Sequence, residues 1–252
     1  MAPTVWAWRE YRAKKFAKIF DEIFILFNFE NSYFSKFGLK TTFIGHPIFY
    51  IENTNKTNKD NYIAFLLGSR LGEVKKLFTF FQIAYEQLLI INPNITIFIP
   101  TLPHLEKVIS AYVDKWKIKT IIINDNILIE KYYSNSKFAL VCSGTASLEI
   151  AKRKIPQLVI YKINFLTEII LKIFVKVRYG NIINIIANKM IIPELTNSSL
   201  TKKKFIKYFV NLITDVDSNE KQIIAINSYL NQIETNQPPF TIAAKKIDEY
   251  LQ

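Results

Sequence analysis

An α/β fold, a parallel sheet with helices on both faces, is predicted for this 252-residue chain by three observations. Short apolar runs alternate with stretches of helical periodicity. The runs are apolar at consecutive positions, as strands buried on both sides are. Two of them break into glycine-bearing turns that open a helix-like stretch. Taken in order, the strands are Ile23 to Leu26, Thr42 to Ile44, Ile63 to Leu67, Ile95 to Ile99, Thr120 to Ile123, Phe138 to Cys142 and Leu158 to Tyr161. The clearest helix is Glu73 to Ile91, where Val74, Leu77, Phe78, Phe81, Ala84, Tyr85 and Leu88 keep the three-and-four spacing and Pro93 ends the run. From Leu200 onward the chain reads as helices, including Lys203 to Ile213 and a last one running from Pro238-Pro239 to Leu251. The polar stretch Ile51 to Asn61, rich in Asn, Thr and Lys, reads as a linker. The expected divisions are therefore a leading piece (1–50), a linker (51–61), a main domain (62–235) and a C-terminal helix (236–252).

Half of the residues are hydrophobic, enough to build a core and to exclude disorder of the whole chain. A net charge of +12 favours anionic partners. The basic residues are spread along the chain rather than clustered, which favours a small anionic ligand over nucleic acid. A lone cysteine, Cys142, leaves no internal disulfide and no cysteine-cluster metal site, as suits a reducing cytoplasm. With His46 and His104 the only imidazoles, a His-rich metal centre is equally unexpected. No apolar run reaches the roughly 18 residues of a membrane span, so a soluble or peripheral protein is expected.

The most informative stretch is Leu66-Leu67-Gly68-Ser69-Arg70-Leu71-Gly72-Glu73-Val74. Gly68 lets the backbone bend after the strand, and the next helix presents unpaired N–H groups to an anion. Arg70 adds a planar fork that matches phosphate oxygens. An ordinary strand-to-helix turn with a solvated arginine is the plain alternative. A second such turn is Val141-Cys142-Ser143-Gly144-Thr145-Ala146-Ser147-Leu148-Glu149. Here Ser143 can cap the helix, Gly144 admits close backbone approach and Thr145 adds a hydroxyl beside the positive helix end. Glu149, about one turn in, lies within reach of vicinal hydroxyls such as those of a ribose, and a well-capped structural helix is the alternative.

Together with Trp6-Ala7-Trp8-Arg9, Gly45-His46-Pro47, Tyr179, Asn184 and Pro193-Glu194-Leu195, these turns follow one order along the chain. In that pattern the chain resembles lipid-A-disaccharide synthase, an inverting glycosyltransferase of the GT-B type with two Rossmann-like domains. The resemblance implies a UDP-sugar-binding Rossmann-like domain over 62–235, a residual end of the acceptor domain over 1–50, and transfer of 2,3-diacylglucosamine from its UDP derivative to 2,3-diacylglucosamine 1-phosphate. It implies that Gly68, Ser69, Arg70, Ser143, Gly144, Thr145, Glu149 and Asn184 bind the donor, with Arg70 and Asn184 acting in catalysis. It implies no metal and no cofactor, the UDP-sugar being the donor substrate, a site on the cytoplasmic face of the bacterial inner membrane, and as further partners a homodimer or a separate amino-terminal domain.

Three departures from the family pattern stand out. Leu67 replaces a proline before Gly68, Gly180-Asn181-Ile182-Ile183-Asn184 replaces Val-Ser-Leu-Pro-Asn, and Asn188-Lys189 replaces a Gly-Arg pair. Trp6-Ala7-Trp8-Arg9 falls well inside the family's proteins but at the start of this chain, so a truncated and inactive UDP-sugar-binding remnant, or one half of a split enzyme, is the alternative reading. No general base is evident: Glu10, Asp21, Glu22 and Glu30 match no catalytic position and are expected to be solvated, and His46 is expected to be a hydrogen-bonded hinge residue. The amphiphilic stretch Phe165 to Arg178, flanked by Lys162, is a candidate for resting on an anionic leaflet, with core packing or a dimer contact as the alternative.

Overall fold

The computed structural model describes residues 2, 3, 5, 10–50, 61–142, 144–162 and 179–252. The Trp6-to-Arg9 motif, most of the expected linker, Ser143 and the Phe165-to-Arg178 stretch lie outside them. The chain divides into two compact units, one of residues 52–164 with 179–227, the other of 1–51, 165–178 and 228–252.

The larger unit is built on a six-stranded parallel sheet of β3 (Tyr62–Leu66), β4 (Thr96–Pro100), β5 (Thr120–Ile123), β6 (Ser136–Cys142), β7 (Gln157–Tyr161) and β8 (Glu194–Thr196), in spatial order β5-β4-β3-β6-β7-β8. Its helices are α3 (Leu71–Ile91), α4 (Pro103–Val113), α5 (Asn126–Ser134), α6 (Gly144–Lys152), α7 (Ile182–Ala187), α8 (Lys202–Thr214) and most of α9 (Val216–Leu230). Alternate strand residues take opposite faces. Ile63, Phe65, Ile97, Ile99, Leu140 and Leu158 join Val74, Leu77, Phe81 and Leu88 of α3 and Phe205 and Phe209 of α8 in one core. On the other face Phe98 stacks on Tyr132 and meets Tyr133 edge-on, at 5.4 and 5.1 Å, both from α5. Both faces being covered is why these strands are continuously apolar.

All seven expected strands are present, each within two residues of its expected limits, and β8 is an eighth. Asn61, assigned to the linker, is tied to the sheet: its carbonyl accepts from the Thr96 amide at 2.7 Å, and its side chain exchanges hydrogen bonds with Asn92.

In the smaller unit β1 (Glu22–Ile25) and β2 (Lys40–Phe43) pair in parallel over a core of Val5, Ala13, Ile23, Ile25, Phe34 and Leu39. Two of these buried residues, Ala13 and Phe34, come from α1 (Tyr11–Phe16) and α2 (Asn31–Ser35). The C-terminal helix α10 (Pro239–Leu251) belongs to this unit rather than standing as a separate piece: Tyr250 Oη donates to Glu22 Oε2 at 2.6 Å, and Tyr50 Oη lies 2.8 Å from Thr235 Oγ1. The unit boundary at Ser228 accordingly falls short of the expected domain end at 235.

Two carboxylates expected to be solvated are not. Glu30 is buried and accepts from the Leu26 and Phe27 amides at 3.0 and 3.1 Å, capping a turn. Glu22 is taken up by Thr42, Tyr250 and Lys40. His46 Nδ1 accepts from the Ile48 amide at 3.2 Å, its ring stacks on Phe27, and burial holds its pKa below the ordinary histidine value. No helix among the described residues is long and apolar enough to cross a membrane.

Candidate functional site

The order of the large sheet places its switch point between β3 and β6. From β3 the chain winds outward through β4 to β5, and from β6 it winds the other way through β7 to β8. Crossovers on either side of such a point diverge and leave a crevice at the carboxyl ends of the two central strands. The register Phe65 to Leu140 and Leu66 to Val141 makes both glycine-bearing turns leave the sheet side by side there.

Gly68 has φ +103°, where a side chain is strained, and a Cβ on it would stand 2.9 Å from Glu73 Oε2 and 3.3 Å from Cys142 Sγ. The turn thus needs glycine for its backbone angle and for the closeness of α3 and β6. Leu67 is buried, so the position that is proline in the pattern serves as core here. Ser69 and Arg70 are exposed. Arg70 takes the N-cap position of α3 without a side-chain cap, and its Nη1 donates to Glu73 Oε1 at 2.8 Å. Cys142, at the end of β6, is buried, and burial with the nearby Glu73 charge pushes its thiol up to about 12, so it is an inert packing group. At the end of β7 the Tyr161 phenol is also raised, by burial first and then by Glu73 and Cys142, with Arg70 opposing.

Across the crevice Gly144 begins α6, and a Cβ there would meet only the Gly180 carbonyl, at 3.9 Å. Thr145 is exposed and Glu149 half-buried. Burial raises the Glu149 pKa; Arg153 lowers it and Glu130 raises it further. The Arg153 guanidinium is held by Glu130, donates from Nη1 to the Glu149 carbonyl at 3.0 Å, and lies over the Tyr133 ring.

Asn184 differs from its expected ligand-facing role. Its side chain has no exposed surface: Oδ1 accepts from the Ile191 and Ile192 amides at 2.8 and 2.9 Å, and Nδ2 donates to the Ile192 carbonyl at 2.8 Å. Both amide-oxygen positions and one amide-nitrogen donor are committed to the protein backbone. Asn188 closes α7 at φ +48°, a left-handed cap that glycine adopts freely and asparagine tolerates best among the rest. That accounts for asparagine at a glycine position of the pattern.

The motifs contain Glu194, Asn181 and Ser147 but gave them no role, and these residues hold the Gly180-Asn181 backbone beside Gly144. Glu194 accepts from the amides of Gly180 and Asn181 at 3.0 and 2.8 Å, while burial raises its pKa. Asn181 caps α7 through Ile183 N and donates to Ser147 Oγ at 2.6 Å. Ser147 in turn donates to Gln157, whose backbone exchanges hydrogen bonds with Gln222. Asn181 standing before an apolar run was the one local sign of this network.

A doubly wound parallel sheet with glycine-bearing turns at its switch point is the Rossmann-like architecture found in one half of GT-B type proteins, and solved structures share this fold. The Staphylococcus aureus MnaA–UDP structure superposes with a TM-score of 0.61 at 15% identity, over 93% of this chain and 61% of that one. Acinetobacter baumannii MurG gives 0.53 at 13%, over 84% and 57%. A family model described as lipid-A-disaccharide synthetase matches residues 1–245, and the chain belongs to the lipid-A-disaccharide synthase family. The enzyme of that name from Rickettsia canadensis (strain McKiel) is 33% identical over 100% of this chain and 68% of its own length. The one from Rhodospirillum centenum (strain ATCC 51521 / SW) is 29% identical over 98% and 65%. The chain spans about two thirds of the length of these curated relatives.

Proposed function

We propose that the chain binds a UDP-sugar at the β3–β6 crevice and serves the transfer of 2,3-diacylglucosamine from UDP to 2,3-diacylglucosamine 1-phosphate, giving lipid A disaccharide 1-phosphate and UDP. The observation that carries this reading is that Gly68-Ser69-Arg70 and Gly144-Thr145 follow the ends of neighbouring strands at the switch point, in a chain of this family. The acceptor hydroxyl attacks the anomeric carbon with inversion, the bond from that carbon to the diphosphate oxygen breaks, and the hydroxyl proton passes to a base. The leaving diphosphate gains negative charge as that bond breaks. Arg70 and the starts of α3 and α6 meet this charge more strongly in the transition state than in the ground state. Glu149 orients the ribose hydroxyls, and Asn184 acts only by fixing the chain beside the site. No metal or cofactor is part of the proposal. Acylated substrates and a net charge of +12 support work at the cytoplasmic face of the inner membrane.

Calorimetric titration with UDP, together with an assay of disaccharide formation with and without the amino-terminal third of a Rickettsia relative added in trans, tests the proposal. Binding with turnover supports it. Binding without turnover in either assay selects a UDP-sugar-binding module instead, and no binding of UDP rejects both.

A further inference from the structure

We infer that Glu73 is a positioning residue for the anion site, holding the Arg70 guanidinium in place at the β3–α3 turn; the inference rests on the nucleotide reading above. The two partners are unequally fixed. The Glu73 side chain is 18% exposed and that of Arg70 79%. The carboxylate is tucked where Gly68 has no side chain, with Oε2 2.9 Å and Cβ 3.2 Å from the place a Cβ would take. It also stands in the first turn of α3, where the helix end favours negative charge. Its field reaches Cys142 and Tyr161 at the ends of β6 and β7, which puts the charge on the sheet side of the turn.

Arg70, by contrast, is a long side chain with one hold, the 2.8 Å bond from Nη1 to Glu73 Oε1. Among the described residues no other side chain bonds to it, so Nε and Nη2 keep their donors for a ligand. A guanidinium anchored by one nitrogen loses little further freedom when phosphate oxygens take the others, and pre-organisation of this kind raises affinity without adding a contact. Gly68 then has a second purpose: any larger residue there would push the anchor out of its seat.

The test is a double-mutant cycle read by UDP titration on the full chain, with a thermal melt of every variant. Glu73→Ala is expected to weaken UDP binding about tenfold, whereas Glu73→Gln, which keeps an acceptor in the same place, stays within about twofold. In an Arg70→Ala background, Glu73→Ala is expected to change nothing further. If Glu73→Ala does not fold, Glu73→Met, of similar length but without an acceptor, carries the same expectation. Unchanged or tighter binding in Glu73→Ala or Glu73→Met overturns the inference, as does a loss that adds independently to that of Arg70→Ala. Loss of binding in Arg70→Ala alone keeps the nucleotide reading while the inference falls. A wild-type chain without affinity for UDP ends both.

Discussion

At the scale of residues, chemistry and architecture separate cleanly. Arg70 is exposed and among the described residues bonds only to Glu73, and Arg70→Ala is expected to remove most UDP affinity by calorimetry, while Glu10→Ala, on a carboxylate paired with Lys36, leaves it unchanged. Asn184 holds two buried amides and a carbonyl, so Asn184→Ala leaves these backbone groups unpaired. It is expected to cost about 2–4 kcal/mol in urea unfolding. Glu149 gives a pH signature. Burial raises its folded pKa above the ordinary 4.5, so the native state holds its proton more tightly than the unfolded one. Its contribution to stability is therefore fullest below pH 4.5 and is lost as pH rises toward the raised value. Glu149→Gln is expected to raise Tm at pH 7 and to leave it nearly unchanged at pH 4; if Glu149 also holds the ribose, the same variant loses UDP affinity.

At the scale of elements, the sheet is fastened by aromatic packing between β3, α3 and α8. Phe65 is fully buried and meets Phe81, Trp116 and Phe209 edge-on at 5.3 to 6.4 Å. Phe65→Ala is expected to cost about 3–5 kcal/mol, read from the urea midpoint at constant slope. Most strands were legible in the sequence because a strand covered on both faces is apolar at successive positions, and α3 was legible because its buried residues keep the helical spacing. At three residues, Glu194–Thr196 is too short to carry a period, so β8 passed unseen. The place of α10 beside β1 depends on Tyr250 meeting Glu22, two residues 228 positions apart, and no local pattern encodes that. The two glycine-bearing turns showed because turn chemistry is local. The inward commitment of Asn184 and the tuck of Glu73 under Gly68 are tertiary, and a motif does not distinguish a residue that touches a ligand from one that steadies its neighbour.

At the scale of the whole molecule, a net charge of +12 surrounds a site proposed for a small polyanion. Screening shortens from about 10 Å at 0.1 M salt to about 3 Å at 1 M, so UDP affinity is expected to fall several-fold across that range in a salt series of titrations. Retention on DNA at physiological salt would instead mark the charge as serving a different polyanion. The switch point has a further consequence, for the order in which the protein comes into being. β3 ends at Leu66 and its central neighbour β6 only at Cys142, so the cleft between them is missing from every nascent chain that has yet to release the second strand. On the proposed nucleotide reading, affinity waits until β6 has left the ribosome, and a nucleotide that binds there would draw β3 and β6 together by mass action, the ligand serving as a template for its own site.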